Sequence, residues 1–378
     1  MDTQRIDHVE FYAADADRAA RTIYDGFGFE VAGALGPEPG GQRSVLLRQG
    51  GIQLLVTAAT APDHPARQFV AAHGPGVATV ALATADPAAA LLEALDKGAV
   101  PQPAAGPTGW GDPVDAVRVR AFGSVGHRFV APGALAARFA EPDAAVPDAA
   151  GDPGADGRSP LHLLDEVDHI AVCVPPGELA TTVALYRDVY GFASIFTERI
   201  EVGLQAMNSE VVQSPTGTIT LTILEPDPDR DRGQIDDFLA AHGGPGVQHL
   251  ALRTDDIATS VRTLSGRGVG FLAAPGTYYE ELSRLPESSH VPLEVLRELD
   301  VLVDRDESGE LFQIFSRSTH PRRTFFFEVI ERRLARTFGT SNISALYRAV
   351  ELDRSRAQLS RVAHAAETDP APAPLSAG

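Results

Sequence analysis

The chain is 378 residues long, about two domains at the usual 100–200 residues each, and its 44% apolar and 22% charged residues give a globular rather than a disordered balance. With 32 Lys+Arg against 51 Asp+Glu, the net charge of −19 repels phosphate backbones and anionic lipid, so neither nucleic acid nor a membrane surface is expected as a partner. The single cysteine, Cys173, excludes an internal disulfide and fits a reducing, cytoplasmic setting; the acidic first residues carry no signal pattern, and no run of about 18 apolar residues predicts a membrane span.

Two segments recur along the chain. IDHV at 6–9, an amphipathic run and GFGF at 26–29 match VDHI at 167–170, a similar run and YGF at 190–192. HGPGVATVALATAD at 73–86 matches GGPGVQHLALRTDD at 243–256. Self-similarity at such separation means two tandem copies of one module. The first copy is expected over 1–131 and the second over 161–361. Between them, 132–160 is dense in Pro, Gly, Ala and Asp, which cannot bury enough side chain to offset ordering, and reads as a linker; the tail 362–378 reads as disordered for the same reason.

In the second copy, 167–174 alternates as a strand. The run 178–190 places Leu179, Val183, Tyr186 and Tyr190 on one helical face and stops before Gly191, a C-cap residue. Strands follow at 207–213 and 218–224, joined by the turn SPTG, and at 247–254. A helix over 255–267, strands near 299–304, 311–316 and 324–331, and a last helix from about Ser341 complete the module. This order predicts an α+β fold in which each module is a pair of βαβββ units curled into a half-open barrel, helices outside and a concave face able to hold a metal.

Ligand-type side chains at three strand positions stand out: His169, His249 and Glu328. His169 shares its face with Ala171 and Cys173, and His249 with Ala251, so small neighbours leave room beside both imidazoles. Glu328 lies among Phe325, Phe326, Phe327, Val329 and Ile330, where an ionised carboxylate is expensive unless paired or bound to a cation. Two imidazoles and one carboxylate form the facial triad of non-haem Fe(II) oxygenases, which leaves positions open for a chelating substrate and O2. The first module lacks the set. His8 aligns with His169, but Thr79 stands where His249 does, and no carboxylate between Asp115 and Glu141 matches Glu328, so His8 reads as structural. His64, His73, His127, His162, His242, His290, His320 and His364 lie in polar or loop-like surroundings and read as structural or surface residues; Cys173 reads as packing.

On VDHIAV (167–172), MNSEVV (207–212), Glu225-Pro226, GQIDDFL (233–239), GPGVQHLALRTDDI (244–257), VDRDESGELFQIF (303–315), RTFFFEVIER (323–332) and TFGTSN (337–342), the second module resembles the 4-hydroxyphenylpyruvate dioxygenase family of the vicinal-oxygen-chelate superfamily. With the first module, the likeness spans nearly the whole chain. It implies two tandem vicinal-oxygen-chelate modules, Fe(II) held by His169, His249 and Glu328, and 4-hydroxyphenylpyruvate with O2 as substrates.

Departures within the resemblance are informative. Ring-hydroxylating members read P-[IL]-N-E-P where this chain has Thr222-Ile223-Leu224-Glu225-Pro226, and Phe where it has Ile343. The same substitutions are similar to the hydroxymandelate-forming branch of the family, which feeds glycopeptide antibiotic synthesis. Homogentisate formation and a non-catalytic binding role on the same scaffold are the alternatives. The likeness makes Ser209 and Thr222 candidate partners for the substrate phenol, with Gln234 nearby. Gln313 and Phe315 share one strand face that would line the pocket, Phe326 shares the face of Glu328, and Phe338 and Ile343 would close the cavity. Alternation points Gln248 away from His249. The silent first module offers a surface for self-association as a homo-oligomer.

Overall fold

The structure, a computed structural model, describes residues 2–38, 41–103, 117–140, 160–284 and 289–339, together with Asn342 and Ala345. The first module runs β1 (Arg5–Tyr12), α1 (Ala16–Phe27), β2 (Glu30–Glu38), β3 (Gln42–Gln49), β4 (Ile52–Ala58), α2 (Pro65–His73), β5 (Gly76–Ala83), α3 (Pro87–Asp96), β6 (Pro101–Pro103), β7 (Val117–Phe122), β8 (Val125–Val130) and α4 (Ala134–Phe139). The second runs β9 (Val167–Cys173), α5 (Leu179–Leu185), β10 (Ala193–Val202), β11 (Gln205–Gln213), β12 (Thr220–Pro226), α6 (Gln234–His242), β13 (Gly246–Arg253), α7 (Ile257–Gly266), α8 (Gly276–Leu282), α9 (Leu293–Leu299), β14 (Leu302–Arg305), β15 (Glu310–Phe315) and β16 (Phe326–Arg333).

Each module is one eight-stranded sheet, ordered β2-β3-β4-β1-β5-β8-β7-β6 and β10-β11-β12-β9-β13-β16-β15-β14. Within a βαβββ unit the first and last strands pair in parallel, and the two units join through their antiparallel first strands, β1 with β5 and β9 with β13. The chain therefore has the α+β fold of two tandem vicinal-oxygen-chelate modules. Repeated residues set repeated elements. Asp86 and Asp256, matched in the two copies, cap α3 and α7 by accepting the Ala89 and Thr259 amides. Gly28 and Gly191, also matched, end their helical runs at φ 74° and 71°, a left-handed conformation that favours glycine.

The structure departs from the sequence pattern in four places. The run 178–190 is α5 followed by a π turn over Tyr186–Tyr190 rather than one regular helix. The expected linker begins too early, because 134–139 forms α4, whose Leu135 and Phe139, one helical turn apart, bury against Leu35, Leu46 and Leu55. β10, α6, α8 and α9 were not anticipated; β10 is exposed along most of its length and shows no clean alternation. His127 is no loop residue but a buried member of β8. The stretch 141–159 and the tail 362–378 lie outside the described residues. Among those described, no helix is long and apolar enough to cross a membrane.

The modules do not keep separate cores. One apolar cluster draws on both sheets, with Phe11 edge-on to Phe325 at 4.9 Å between ring centroids and Phe27 against Phe327 at 4.7 Å. His127 crosses the same boundary, its Nδ1 donating to the Val80 carbonyl (3.0 Å) and its Nε2 accepting from the Tyr186 hydroxyl (2.9 Å). At one edge His73 stacks on His242 with centroids 4.6 Å apart, and the Arg322 guanidinium donates to the carbonyls of Ala72 (2.6 Å) and Ala241 (3.4 Å), near the C-terminal ends of α2 and α6. A cation is favoured at such ends.

Burial pushes His127 down to about 4, and burial, with the nearby His73 and Arg322 charges, pushes His242 down to about 4. Unfolded imidazoles take their protons near 6.5, so each ring's contribution is complete above that pH and is lost as the pH falls from about 6.5 to about 4. The loss is on the order of 3 kcal/mol per ring. Thermal melts should therefore show a falling melting temperature across that window, and the slope should flatten in a His127→Gln/His242→Gln double variant compared with the parent chain.

Candidate metal centre

Three neighbouring strands, β9, β13 and β16, bring the expected ligands together. Ala251 pairs with His169 on one side and with Glu328 on the other, while His249 pairs with Ala171 and Phe326, so the three side chains share the concave face with Ala171, Ala251 and Phe326 at the positions beside them. Glu328 Oε2 lies 3.5 Å from His169 Nε2 and 3.2 Å from His249 Nε2, and all three donor atoms fall within 4.8 Å of one another.

The opposite ring nitrogens are already engaged. His169 Nδ1 donates to Asp168 Oδ1 (2.9 Å) and His249 Nδ1 to Gln248 Oε1 (3.3 Å), which fixes the tautomer that presents Nε2. Glu328 is 1% exposed, and its second oxygen, Oε1, accepts from Gln313 Nε2 at 2.8 Å. Burial pushes the Glu328 carboxyl up, but the charge and hydrogen bonds of His169 and His249 outweigh this and lower it to about 2. Burial pulls His169 down, yet Glu328 and Asp168 raise it to about 9; burial dominates at His249, which is lowered. At Asp168, hydrogen bonds from His169 and Arg332 outweigh burial and keep the carboxyl below the usual range. Bonds of about 2.1 Å place adjacent ligands about 3 Å apart, so two imidazoles and a buried carboxylate at these separations fit a divalent transition-metal ion.

The other expected residues distribute around this centre. Phe326 stacks on His249 (4.9 Å, 24°), Phe315 approaches the same ring at 6.2 Å, and Phe338 meets His169 edge-on at 6.0 Å. Phe315 pairs with Glu328 across β15 and β16. Ser209 on β11 pairs with Leu224 on β12, and Thr222 pairs with Ala171, next to the metal strand. Thr222 Oγ1 is buried with no hydrogen-bond partner among the described residues. Leu224 belongs to an apolar wall with Cys173, Ile200, Met207 and Phe238. Gln234 opens α6 and is half-buried, while Ile343 lies outside the described residues.

Sequence reasoning misplaced Gln248 and passed over Asp168, Arg332 and Asn342. A bulge between Val247 and His249 breaks the alternation that pointed Gln248 away, so it faces its neighbour. Asp168 was legible in the repeat: Asp7 Oδ1 bonds His8 Nδ1 at 2.8 Å in the same way. In the first module Thr79 and Arg128 hold the register positions of His249 and Glu328, Thr79 paired with Glu10 and Arg128 with Ala81. Among the described residues, His169, His249 and Glu328 are the one group of at least three such side chains arranged to hold a metal.

Comparison with known proteins gives a consistent set of relatives. Residues 168–284 match the sequence profile of the glyoxalase/bleomycin resistance protein/dioxygenase superfamily, and residues 1–128 that of the hydroxyphenylpyruvate dioxygenase N-terminal region. A 4-hydroxyphenylpyruvate dioxygenase of Danio rerio is 31% identical over 372 residues, covering 92% of this chain and 90% of its own length. One from Yarrowia lipolytica is 29% identical, covering 94% of each. Among solved structures, a triply substituted 4-hydroxymandelate synthase from Streptomyces coelicolor aligns with a TM-score of 0.77 at 40% identity, covering 93% of this chain and 99% of its own. A xylose isomerase-like TIM barrel/4-hydroxyphenylpyruvate dioxygenase fusion protein aligns with a TM-score of 0.72 at 26% identity, covering 93% of this chain and 52% of its own.

The donor geometry predicts one divalent ion per chain. Anaerobic titration with Fe(II) or Co(II), followed by elemental analysis, should give a single equivalent for the parent chain and for His8→Gln, and none for Glu328→Ala.

Proposed function

Because the chain belongs to the 4-hydroxyphenylpyruvate dioxygenase family of oxygenases, we propose that it is an Fe(II)-dependent enzyme converting 4-hydroxyphenylpyruvate and O2 to 4-hydroxymandelate and CO2. His169, His249 and Glu328 are its metal ligands. Both oxygen atoms are accounted for: one enters the new carboxylate, the other the benzylic hydroxyl. The observation that carries the reading is the convergence of two Nε2 atoms and one buried carboxylate oxygen on a single concave face. Similarity to a hydroxymandelate synthase at 40% identity, against 31% and 29% for dioxygenases matched over more than nine-tenths of the chain, supports the choice of product.

Iron(II) at this site supplies O2 activation and the oxidative decarboxylation of a chelated 2-oxo acid. The chain does the rest by placement. Asp168 and Gln248 aim the imidazoles, and Gln313 holds one Glu328 oxygen so that the other faces the histidines. Phe315, Phe326 and Phe338 surround the rings and exclude water. Thr222 Oγ1, buried with no partner among the described residues, and Ser209 offer hydrogen bonds to the phenol. Leu224 gives the wall no amide with which to anchor the ring, so a bound substrate would be free to present its benzylic carbon, rather than its ring, toward the three ligands. Displacement by about 1 Å suffices to redirect such a reaction. A supply role for hydroxyphenylglycine-containing antibiotics follows from that product.

The second reading, homogentisate formation, is favoured by the names of the relatives near 30% identity. The two products are isomers, so the test is chromatographic: enzyme loaded anaerobically with Fe(II), then given 4-hydroxyphenylpyruvate and O2, should yield 4-hydroxymandelate as the main product. Homogentisate as the main product would overturn this choice, and an absence of O2 uptake would leave a binding protein on the same scaffold. Leu224→Asn should raise the homogentisate fraction at the expense of hydroxymandelate.

A further inference from the structure

Beyond its three ligands, the second module contains a side chain that ties the metal face to the chain leaving β16. Arg332 grips Asp168 with two donors, Nε to Oδ2 (3.0 Å) and Nη2 to Oδ1 (2.9 Å), while Asp168 Oδ1 also holds His169 Nδ1. Its remaining nitrogen, Nη1, donates to the carbonyls of Ala335 (3.1 Å) and Thr337 (2.7 Å). The guanidinium carbon lies 5.2 Å from the centroid of the Phe338 ring, which itself meets His169 edge-on. One planar fork thus fixes the orientation of a ligand, the path of 335–337 and the aromatic roof over that ligand.

A second tie runs from the other end of the same segment. Asn342 Nδ2 donates to Gln313 Oε1 (2.7 Å), Gln313 Nε2 donates to Glu328 Oε1 (2.8 Å), and the Tyr278 hydroxyl donates to Asn342 Oδ1 (3.1 Å). The first module provides an internal control. It repeats the aspartate–histidine bond at Asp7 and His8, but the residue four places after Arg128 is Pro132, which has no side-chain donor. Asp7 Oδ2 is buried there with no hydrogen-bond partner among the described residues. The arginine fork is present where the full ligand set is present and absent where it is not.

We propose that Arg332 is a positioning residue that couples metal binding to the closed arrangement of 335–339, so that metal orders this segment and the ordered segment tightens the metal. The inference rests on the ligand assignment made above but not on the identity of the product. Reciprocity follows from linkage: whatever the metal contributes to the segment's order, the segment returns to metal affinity.

The test uses the full chain with Co(II) or Fe(II) alone, read by anaerobic binding titration and by amide hydrogen exchange at 335–339. Arg332→Met should weaken Co(II) binding about 10–100-fold, the usual effect of removing an outer partner of a ligand. In the parent chain metal should slow exchange at 335–339, and in Arg332→Met it should not. Arg332→Lys, which keeps the charge but not the fork, should fall between the two and stands in if the Met variant misfolds. A purely structural arginine would lower thermal stability without changing the metal dependence of exchange. Co(II) affinity of Arg332→Met within about twofold of the parent chain, or exchange in the parent chain indifferent to metal, would overturn the proposal. Glu328→Ala separates the two levels: unchanged Co(II) binding in that variant sinks the ligand assignment itself, whereas loss there with full binding in Arg332→Met sinks the coupling alone.

Discussion

The carboxylate of Glu328 is the constraint around which the second module is arranged. It is almost wholly removed from water, flanked along its strand by Phe326, Phe327, Val329 and Ile330, and an uncompensated charge there would cost several kcal/mol. The fold compensates it on both oxygens, one facing two imidazoles and the other accepting from Gln313. Two alanines, Ala171 and Ala251, keep the space beside it clear, and the parallel pairing of β13 with β16 sets its register against His249. Together they form a site whose donor atoms could hold a cation.

Much of this was legible in the sequence because ligand residues among small neighbours on an alternating strand leave a pattern that survives without structure. His169, His249 and Glu328 stood out in that way, and the repeat sharpened them by showing a module with the same scaffold and different residues at two of the three positions. What remained hidden depended on breaks in regularity or on long-range contacts. Gln248 was misdirected by one bulge, a feature alternation cannot anticipate. α4 was lost because its alanine-rich sequence looks like linker until Leu35, Leu46 and Leu55 supply the surface it covers. His127 looked ordinary because its partner, Tyr186, belongs to the other module.

The joint between the modules is equally a product of contacts between distant segments. Periodicity alone cannot tell whether an apolar strand face is covered by its own helices or by a second sheet, and here both cover it: Phe11 and Phe27 meet Phe325 and Phe327 directly. Phe325 and Phe327 flank Phe326, which stacks on His249, and Phe327 immediately precedes Glu328. Packing against the first module therefore steadies the strand that carries two of the residues closest to the metal position. In this sense the silent module is a buttress for the active one.

Arg128 has one further implication. At the register position of Glu328, the first module buries a guanidinium, a cation that is covalently part of the chain. Such a charge has a fixed valence: it cannot be stripped by a chelator, exchanged for another element or oxidised. Removing or exchanging a metal at His169, His249 and Glu328 would therefore leave the companion module's interior charge unchanged.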